Sequence, residues 1–223
     1  MSRPRLLDLF CGAGGAAMGY HRAGFDVVGV DIAPQPHYPF EFHQADALTF
    51  PLDGFDAIHA SPPCQGYSRM RHLPWLKDRV YPMLIEPVRE LVQAHGGPYV
   101  IENVAGAPLD PAFMLCGLSF GLRMYRHRLF ESNILMLTPA HERHREVISS
   151  GRMLGSRYSR ASAGVTGVLP DPAGHTAGAS TRAAAAAMGV EWMTRDEMTQ
   201  AIPSAYTEWI GTQLLSHLAA VAS

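Results

Sequence analysis

The chain has 223 residues, 47% of them hydrophobic and 17% charged, with a formal net charge of −2 at pH 7; this suits one globular domain with a sizeable core and excludes recognition of nucleic acid by net charge alone. No apolar run is long enough to cross a bilayer and MSRPRLLDLF has no signal-peptide core, so neither a membrane nor secretion is expected. Three cysteines, odd in number and widely spaced, argue against a disulfide framework and a CxxC-type metal site, so a cytoplasmic, reducing compartment and no metal are expected.

In chain order, RLLDLF (5–10) predicts a short apolar strand, CGAGG a turn, and AAMGYHRAGF a helix. FDVVGVD (25–31) and FEFHQAD (40–46) predict strands ending on Asp31 and Asp46, and FDAIHA (55–60) a fourth strand. Helical spacing covers 81–97, with a glycine stop and a kink expected at Pro87. PYVIENV (98–104) reads as a buried strand and MYRHRLFESNI (124–134) as another. Strands alternating with helices predict an α/β fold with a mostly parallel sheet and helices on both faces. Residues 141–188 turn rich in Arg, Ser, Gly and Ala and read as an inserted lobe, with a helical run at 181–189 leading back to the core. In 205–222 Tyr206, Ile210, Leu214 and Leu218 fall four apart on one helical face. The expected division is therefore 1–140, an inserted 141–188, and a returning 189–223.

Positive charge is nearly all arginine, Lys77 being the one lysine. Arg69, Arg71 and Arg79 follow Cys64; Arg123, Arg126 and Arg128 form a second group; Arg143, Arg145, Arg152, Arg157 and Arg160 form a third. Guanidinium forks match phosphates and base edges, although a solvated arginine-rich surface explains the same runs equally well.

Two strand ends carry candidate chemistry. CGAGGAA joins the first strand to the first helix, where glycines let a ligand approach the backbone and the helix N-terminus favours polar groups. Asp31 then stands where an acid usually bonds ribose hydroxyls. GAGGAA also satisfies the GxGxxA dinucleotide pattern, which keeps a nicotinamide or flavin enzyme open. The second end is SPPCQGYS (61–68), a cysteine behind two rigid prolines just past a buried strand. A lone cysteine is usually a small hydrophobe. This one lies where α/β sheets place their chemistry, and Glu102, inside an apolar stretch, is costly to bury without a partner.

Taken in order, DLFCGAGG (8–15), PPCQ (62–65), ENV (102–104) and RHR (126–128) resemble the motifs of the C5-cytosine DNA methyltransferases, closely over residues 5–131 and loosely over the last thirty or so. The resemblance implies a Rossmann-like fold that binds S-adenosylmethionine and transfers its methyl group to C5 of a cytosine flipped out of double-stranded DNA. Cys64 is then the nucleophile at C6, Glu102 bonds N3 and the exocyclic amine, Arg128 holds O2, and Arg126 supports the loop or a phosphate. Asp8, Phe10, Gly12, Gly14 and Gly15 line the cofactor cleft, with Ile32, Ala47 and Pro63 beside them, Asp31 on the ribose and Asp46 on the adenine. Gln65, Ser68, Arg69 and Arg71 face DNA from a mobile loop over 66–80, and the arginines from Arg143 to Arg160 grip phosphates. A monomer, bacterial or phage-encoded, is the expected assembly.

Departures from the family pattern are informative. Met124 stands where the arginine motif has glutamine, MTRDE (193–197) only approximates LTxRE, and the late GN pair becomes Gly211 and Thr212. The interval that holds the target-recognition domain is about fifty residues, which predicts a short or relaxed recognition sequence. RNA or single-stranded DNA as acceptor, and a non-catalytic DNA-binding protein that keeps the fold, stay open. An amino-methyltransferase is disfavoured because Cys64 stands where SPP[YFW] needs a stacking aromatic.

Overall fold

Alternation of apolar side chains across β1 (Arg5–Leu9) dictates a strand buried on both faces: Leu6 points to one layer, Leu7 and Leu9 to the other. The computed structural model describes residues 2–68, 79–122, 124–141 and 181–222. After β1 come α1 (Gly15–Ala23), β2 (Asp26–Asp31), β3 (Glu41–Gln44), β4 (Ala57–Ala60), α2 (Ile85–His95), β5 (Tyr99–Asn103), β6 (Ala112–Leu115), a single 3-10 turn (Gly117–Phe120) and β7 (Arg128–Ser132). The chain ends in α3 (Thr181–Met188), α4 (Arg195–Gln200) and α5 (Ser204–Val221).

The seven described strands form one sheet in the order β3-β2-β1-β4-β5-β7-β6. The first five run parallel, while β7 is antiparallel to both β5 and β6. Strand order reverses between β1 and β4, the place where open α/β sheets hold a ligand crevice at the carboxyl ends of the strands. α1 and α5 cover one face, where Leu6, Val27 and Phe130 meet Tyr20, Tyr206 and Ile210. α2 covers the other with Ile85, Val88 and Val92 against Leu7, Val28 and Ile101. A third cluster joins Ala13 and Met124 to Ala185, Met188, Val190, Met193 and Met198.

The α1–α5 crossing is very close. A Cβ on Gly19 would lie 2.1 Å from both the Ser204 carbonyl oxygen and the Thr207 Oγ1. Gly211 likewise backs onto Ala23 and Tyr20, so its glycine is fixed by packing.

Three expectations need correcting. Pro87 does not kink a helix: α2 begins at Ile85, so Pro87 falls in its first turn, where a missing N–H costs nothing. The last predicted strand shrinks to Arg128–Ser132, and the preceding β6 was not foreseen. Glu131, buried on β7, is gripped by Arg89 of α2 through Nε (2.8 Å) and a second nitrogen (2.7 Å), tying the antiparallel arm to the parallel sheet. No helix among the described residues is long and apolar enough to cross a membrane.

Candidate active site

The loop after β1 makes one rim of the crevice. Phe10 (φ 59), Gly12 (φ 48) and Gly14 (φ 83) all take left-handed backbone, which for Phe10 is a strained conformation that the surrounding structure must hold. The glycines divide by surroundings. A Cβ on Gly12 would meet nothing among the described residues within 4 Å, leaving room for a ligand against its backbone. Gly14 is closed by Pro39 and Tyr38, and Gly15 by the Ile202 carbonyl. Asp31, at the end of β2, accepts from the amides of Gly12 and Ala33, both at 3.0 Å. It braces the loop while keeping lone pairs for another donor. Ile32 beside it is 72% exposed, a β-branched apolar side chain facing solvent. Asp46 lies past β3 and accepts from the Leu48 amide at 2.9 Å; Ala47 is buried behind it.

Asp8 is fully buried, on the same strand face as Leu6, and burial together with the charge of Asp31 pushes its carboxyl well above the usual range. The nearby Ala17 amide tempers this without closing a hydrogen bond of ordinary geometry. Neither Asp8 oxygen, nor the buried Tyr38 hydroxyl, has a hydrogen-bond partner among the described residues.

The opposite rim carries Cys64, Glu102 and Arg128. Cys64 opens a turn in which the Tyr67 and Ser68 amides donate to its carbonyl at 3.0 and 2.9 Å. The Tyr67 hydroxyl accepts from the first amide of α2, Ile85, at 3.0 Å; the turn is thus anchored to a helix. Asn103 donates from Nδ2 to the Pro62 carbonyl at 2.9 Å and accepts the Val104 amide at 3.0 Å. This strap ties the end of β5 to the proline loop and fixes Glu102 relative to Cys64. Pro63 and Gln65 flank the cysteine, half-buried and exposed respectively.

Glu102 is buried and pairs with Arg128, Nε to Oε1, at 3.0 Å. Burial raises its carboxyl above the ordinary value, against the pull of Arg128, Arg126 and a hydrogen bond from Ser61. Burial also pushes the Cys64 thiol up, the Glu102 charge adds to this, and Arg128 opposes it. Cys64 and Glu102 therefore lie close enough to feel one another, and both favour their protonated forms.

Behind Glu102 runs a hydrogen-bonded chain that sequence reading missed. Tyr20 meets His59 Nδ1 at 2.9 Å, and His59 Nε2 meets Ser61 Oγ at 2.8 Å. Burial lowers His59 to about 3, so the ring is neutral. One proton arrangement satisfies the whole chain: Tyr20 donates to Nδ1, Nε2–H donates to Ser61, and Ser61 donates to Glu102. Its members are 39 and two residues apart in sequence, which no local pattern reveals.

Arg126 is anchored on α4 while its charge still acts on Glu102. Its guanidinium donates to the carbonyls of Thr199 (2.9 Å) and Ala201 (3.0 and 2.6 Å), at the carboxyl end of α4. The Tyr206 hydroxyl donates to the Arg126 carbonyl at 2.9 Å, and these contacts hold the φ of 23 at Arg126. Burial, with the charge of Arg128, lowers it to about 9. Arg126 is a clip between the arginine loop and α4. Ser68 lies beside the Cys64 turn, whereas Arg69, Arg71, Arg143, Arg145, Arg152, Arg157 and Arg160 lie outside the described residues.

A crevice at the strand-order reversal, a glycine-rich loop and an acid after β2 define a Rossmann-like fold of the S-adenosylmethionine-dependent methyltransferases. The chain superposes over 97% of its length on 99% of the S. pombe Dnmt2 methyltransferase, with a TM-score of 0.59 and 14% identity. Residues 4–108 match the family model of C-5 cytosine-specific DNA methylases. The Type II methyltransferase M.FnuDI of Fusobacterium nucleatum is 30% identical over 112 residues, 46% of this chain and 33% of that protein. M.XorII of Xanthomonas oryzae pv. oryzae is 31% identical over 127 residues, 48% of this chain and 29% of that protein. The match thus spans about a third of the length of these curated relatives.

Proposed function

We propose that the chain is a DNA (cytosine-5)-methyltransferase acting through a covalent Cys64 adduct. The observation that carries this reading is the Arg128–Glu102 pair at 3.0 Å, within electrostatic reach of Cys64, facing a glycine-rich rim across one crevice. The residues present fit S-adenosylmethionine: open space over Gly12, the Asp31 carboxylate with spare lone pairs, and exposed Ile32 as an apolar face for adenine. When bound, that cofactor supplies an electrophilic methyl group to C5.

The chain's own groups do the rest. C5 of cytosine is a poor nucleophile. The Cys64 thiolate adds at C6, and the electron pair displaced from the C5–C6 bond makes C5 nucleophilic. Glu102, whose carboxyl is raised by burial, works in its protonated form, donating to N3 and accepting from the exocyclic amine, so charge arriving on the ring is met by a proton donor. Arg128 holds Glu102 in position and reaches O2. After methylation a base takes the C5 proton, and the electron pair of that C–H bond expels Cys64 as thiolate. The cytosine must leave the duplex to reach Cys64. Gln65 and Ser68 border its entry, and the 141–188 interval serves as a reduced recognition segment with short or relaxed specificity.

Methyl transfer from labelled S-adenosylmethionine to duplex DNA, single-stranded DNA and tRNA tests this. Duplex DNA is expected to be the best acceptor. Cys64→Ser should lower the rate on the order of a thousandfold or more and should lose the trapped adduct with 5-fluorocytosine DNA. Equal rates for wild type and variant would sink the covalent route, and preference for tRNA would reassign the substrate.

A further inference from the structure

We propose that Cys116, His127 and His141 form a binding site for a divalent transition metal, zinc above all. Sγ of Cys116 and one ring nitrogen from each histidine lie within 4.8 Å of one another. The two Nε2 atoms are 3.1 Å apart, and the rings tilt by 33° with centroids 5.2 Å apart. With zinc–nitrogen bonds of about 2.0–2.1 Å, two imidazole nitrogens on a tetrahedral zinc stand about 3.3 Å apart, and a thiolate sulfur stands about 3.6 Å from each. The two nitrogens are therefore close to tetrahedral spacing as they stand, and the sulfur, within 4.8 Å of both ligand nitrogens, needs only a small approach.

The donor types agree with the geometry. One sulfur and two imidazoles suit zinc, cobalt or nickel and are poor partners for magnesium or calcium, which take oxygen. Cys116 is buried, His127 half-buried and His141 exposed. The site is thus anchored in the core and open on one side, where a metal enters and water completes the fourth position. Binding releases the thiol proton of Cys116 to solvent, and both rings carry their remaining proton on Nδ1 and coordinate through Nε2.

Position gives the site a role. Cys116 precedes the 3-10 turn Gly117–Phe120, and His127 stands between Arg126 and Arg128. His141 is the last described residue before 142–180. A metal here staples the arginine loop, whose neighbours reach α4 and Glu102, to the start of that segment. Ligands 11 and 14 residues apart match no CxxC spacing, which is why the sequence points away from a metal.

The test is cobalt(II) titration of the purified full chain under a phosphine reductant. One equivalent should bind with the visible bands of tetrahedral cobalt and a thiolate-to-cobalt charge-transfer band, and zinc should displace both. Cys116→Ala should lose the charge-transfer band. His141→Ala, at an exposed position, should fold normally and bind cobalt at least about tenfold more weakly, and zinc should raise its melting temperature less than that of wild type. Cys64→Ser should keep the full spectrum. Absence of stoichiometric binding overturns the proposal. So does a charge-transfer band that survives in Cys116→Ala, or one that vanishes in Cys64→Ser and places the metal at Cys64. None of these readouts depends on methyl transfer.

Discussion

Glu102 sits among neighbours that pull its proton in opposite directions. Burial raises its carboxyl, while Arg128 and the Ser61 hydroxyl lower it. In the proposed reaction Glu102 works protonated and Cys64 works as thiolate. The pH profile of kcat/KM is then bell-shaped, and the lower apparent pKa belongs to Glu102 because the thiol starts from a higher value and is itself raised. Removing a hydrogen bond that favours the carboxylate must raise Glu102 further. Ser61→Ala should accordingly move the acid limb of the bell to higher pH and leave the alkaline limb in place. A merely structural role for Ser61 would lower the whole curve without moving either limb. Measured profiles of wild type and Ser61→Ala separate the two outcomes.

The six-residue helix α4 is too short to persist on propensity, and its two ends explain why it exists. Thr194 caps the N-terminus: its Oγ1 accepts from the Glu197 amide at 3.4 Å, while Glu197 Oε2 accepts from the Thr194 amide at 2.7 Å. The other Glu197 oxygen meets His37 at 2.8 Å, joining α4 to the loop after β2. Arg126 closes the C-terminal carbonyls. Thr194→Ala should cost about 1 kcal/mol and lower the melting temperature by roughly 2–4 °C, which calorimetry would register; an unchanged melting temperature would mean the cap contributes nothing. The same four residues show what a sequence can and cannot disclose. Thr194 to Glu197 is a plain capping-box spelling, yet it reads more readily as a degraded family motif, because spacing does not say which role wins. Cys64, Glu102 and Arg128 are legible since each lies in a short motif at a strand end. The β6 strand is not, being four apolar residues, AFML, with one fully buried side chain and no polar alternation in the sequence to betray it. Nor is the antiparallel insertion of β7 between β5 and β6, because strand patterning fixes faces but not partners.

At the scale of the whole molecule, the last thirty or so residues support the glycine-rich rim that the proposed function assigns to the cofactor. Trp192 donates its indole N–H to the Ala13 carbonyl at 2.9 Å, inside the glycine-rich loop. The Ile202 carbonyl closes the space beside Gly15, and Thr207 donates to the Ala16 carbonyl at 2.8 Å. None of these three lies within the segment that the family model matches. The loop's left-handed residues are thus held from below by chain that arrives 179 or more positions later. Strain of that kind persists only where surrounding contacts over-determine it, so loosening one contact should be felt first by the ligand that the loop must cradle. Trp192→Phe keeps most of the apolar surface and deletes the single donor. Loss of about 1 kcal/mol of hydrogen bonding should weaken S-adenosylhomocysteine binding about fivefold, read by titration calorimetry, while Cys64→Ser, on the opposite rim, leaves the affinity unchanged. If Trp192→Phe melts earlier yet binds as tightly as wild type, the indole stabilises the fold without shaping the loop. If affinity falls with the melting temperature held, the C-terminal segment is part of the cofactor site.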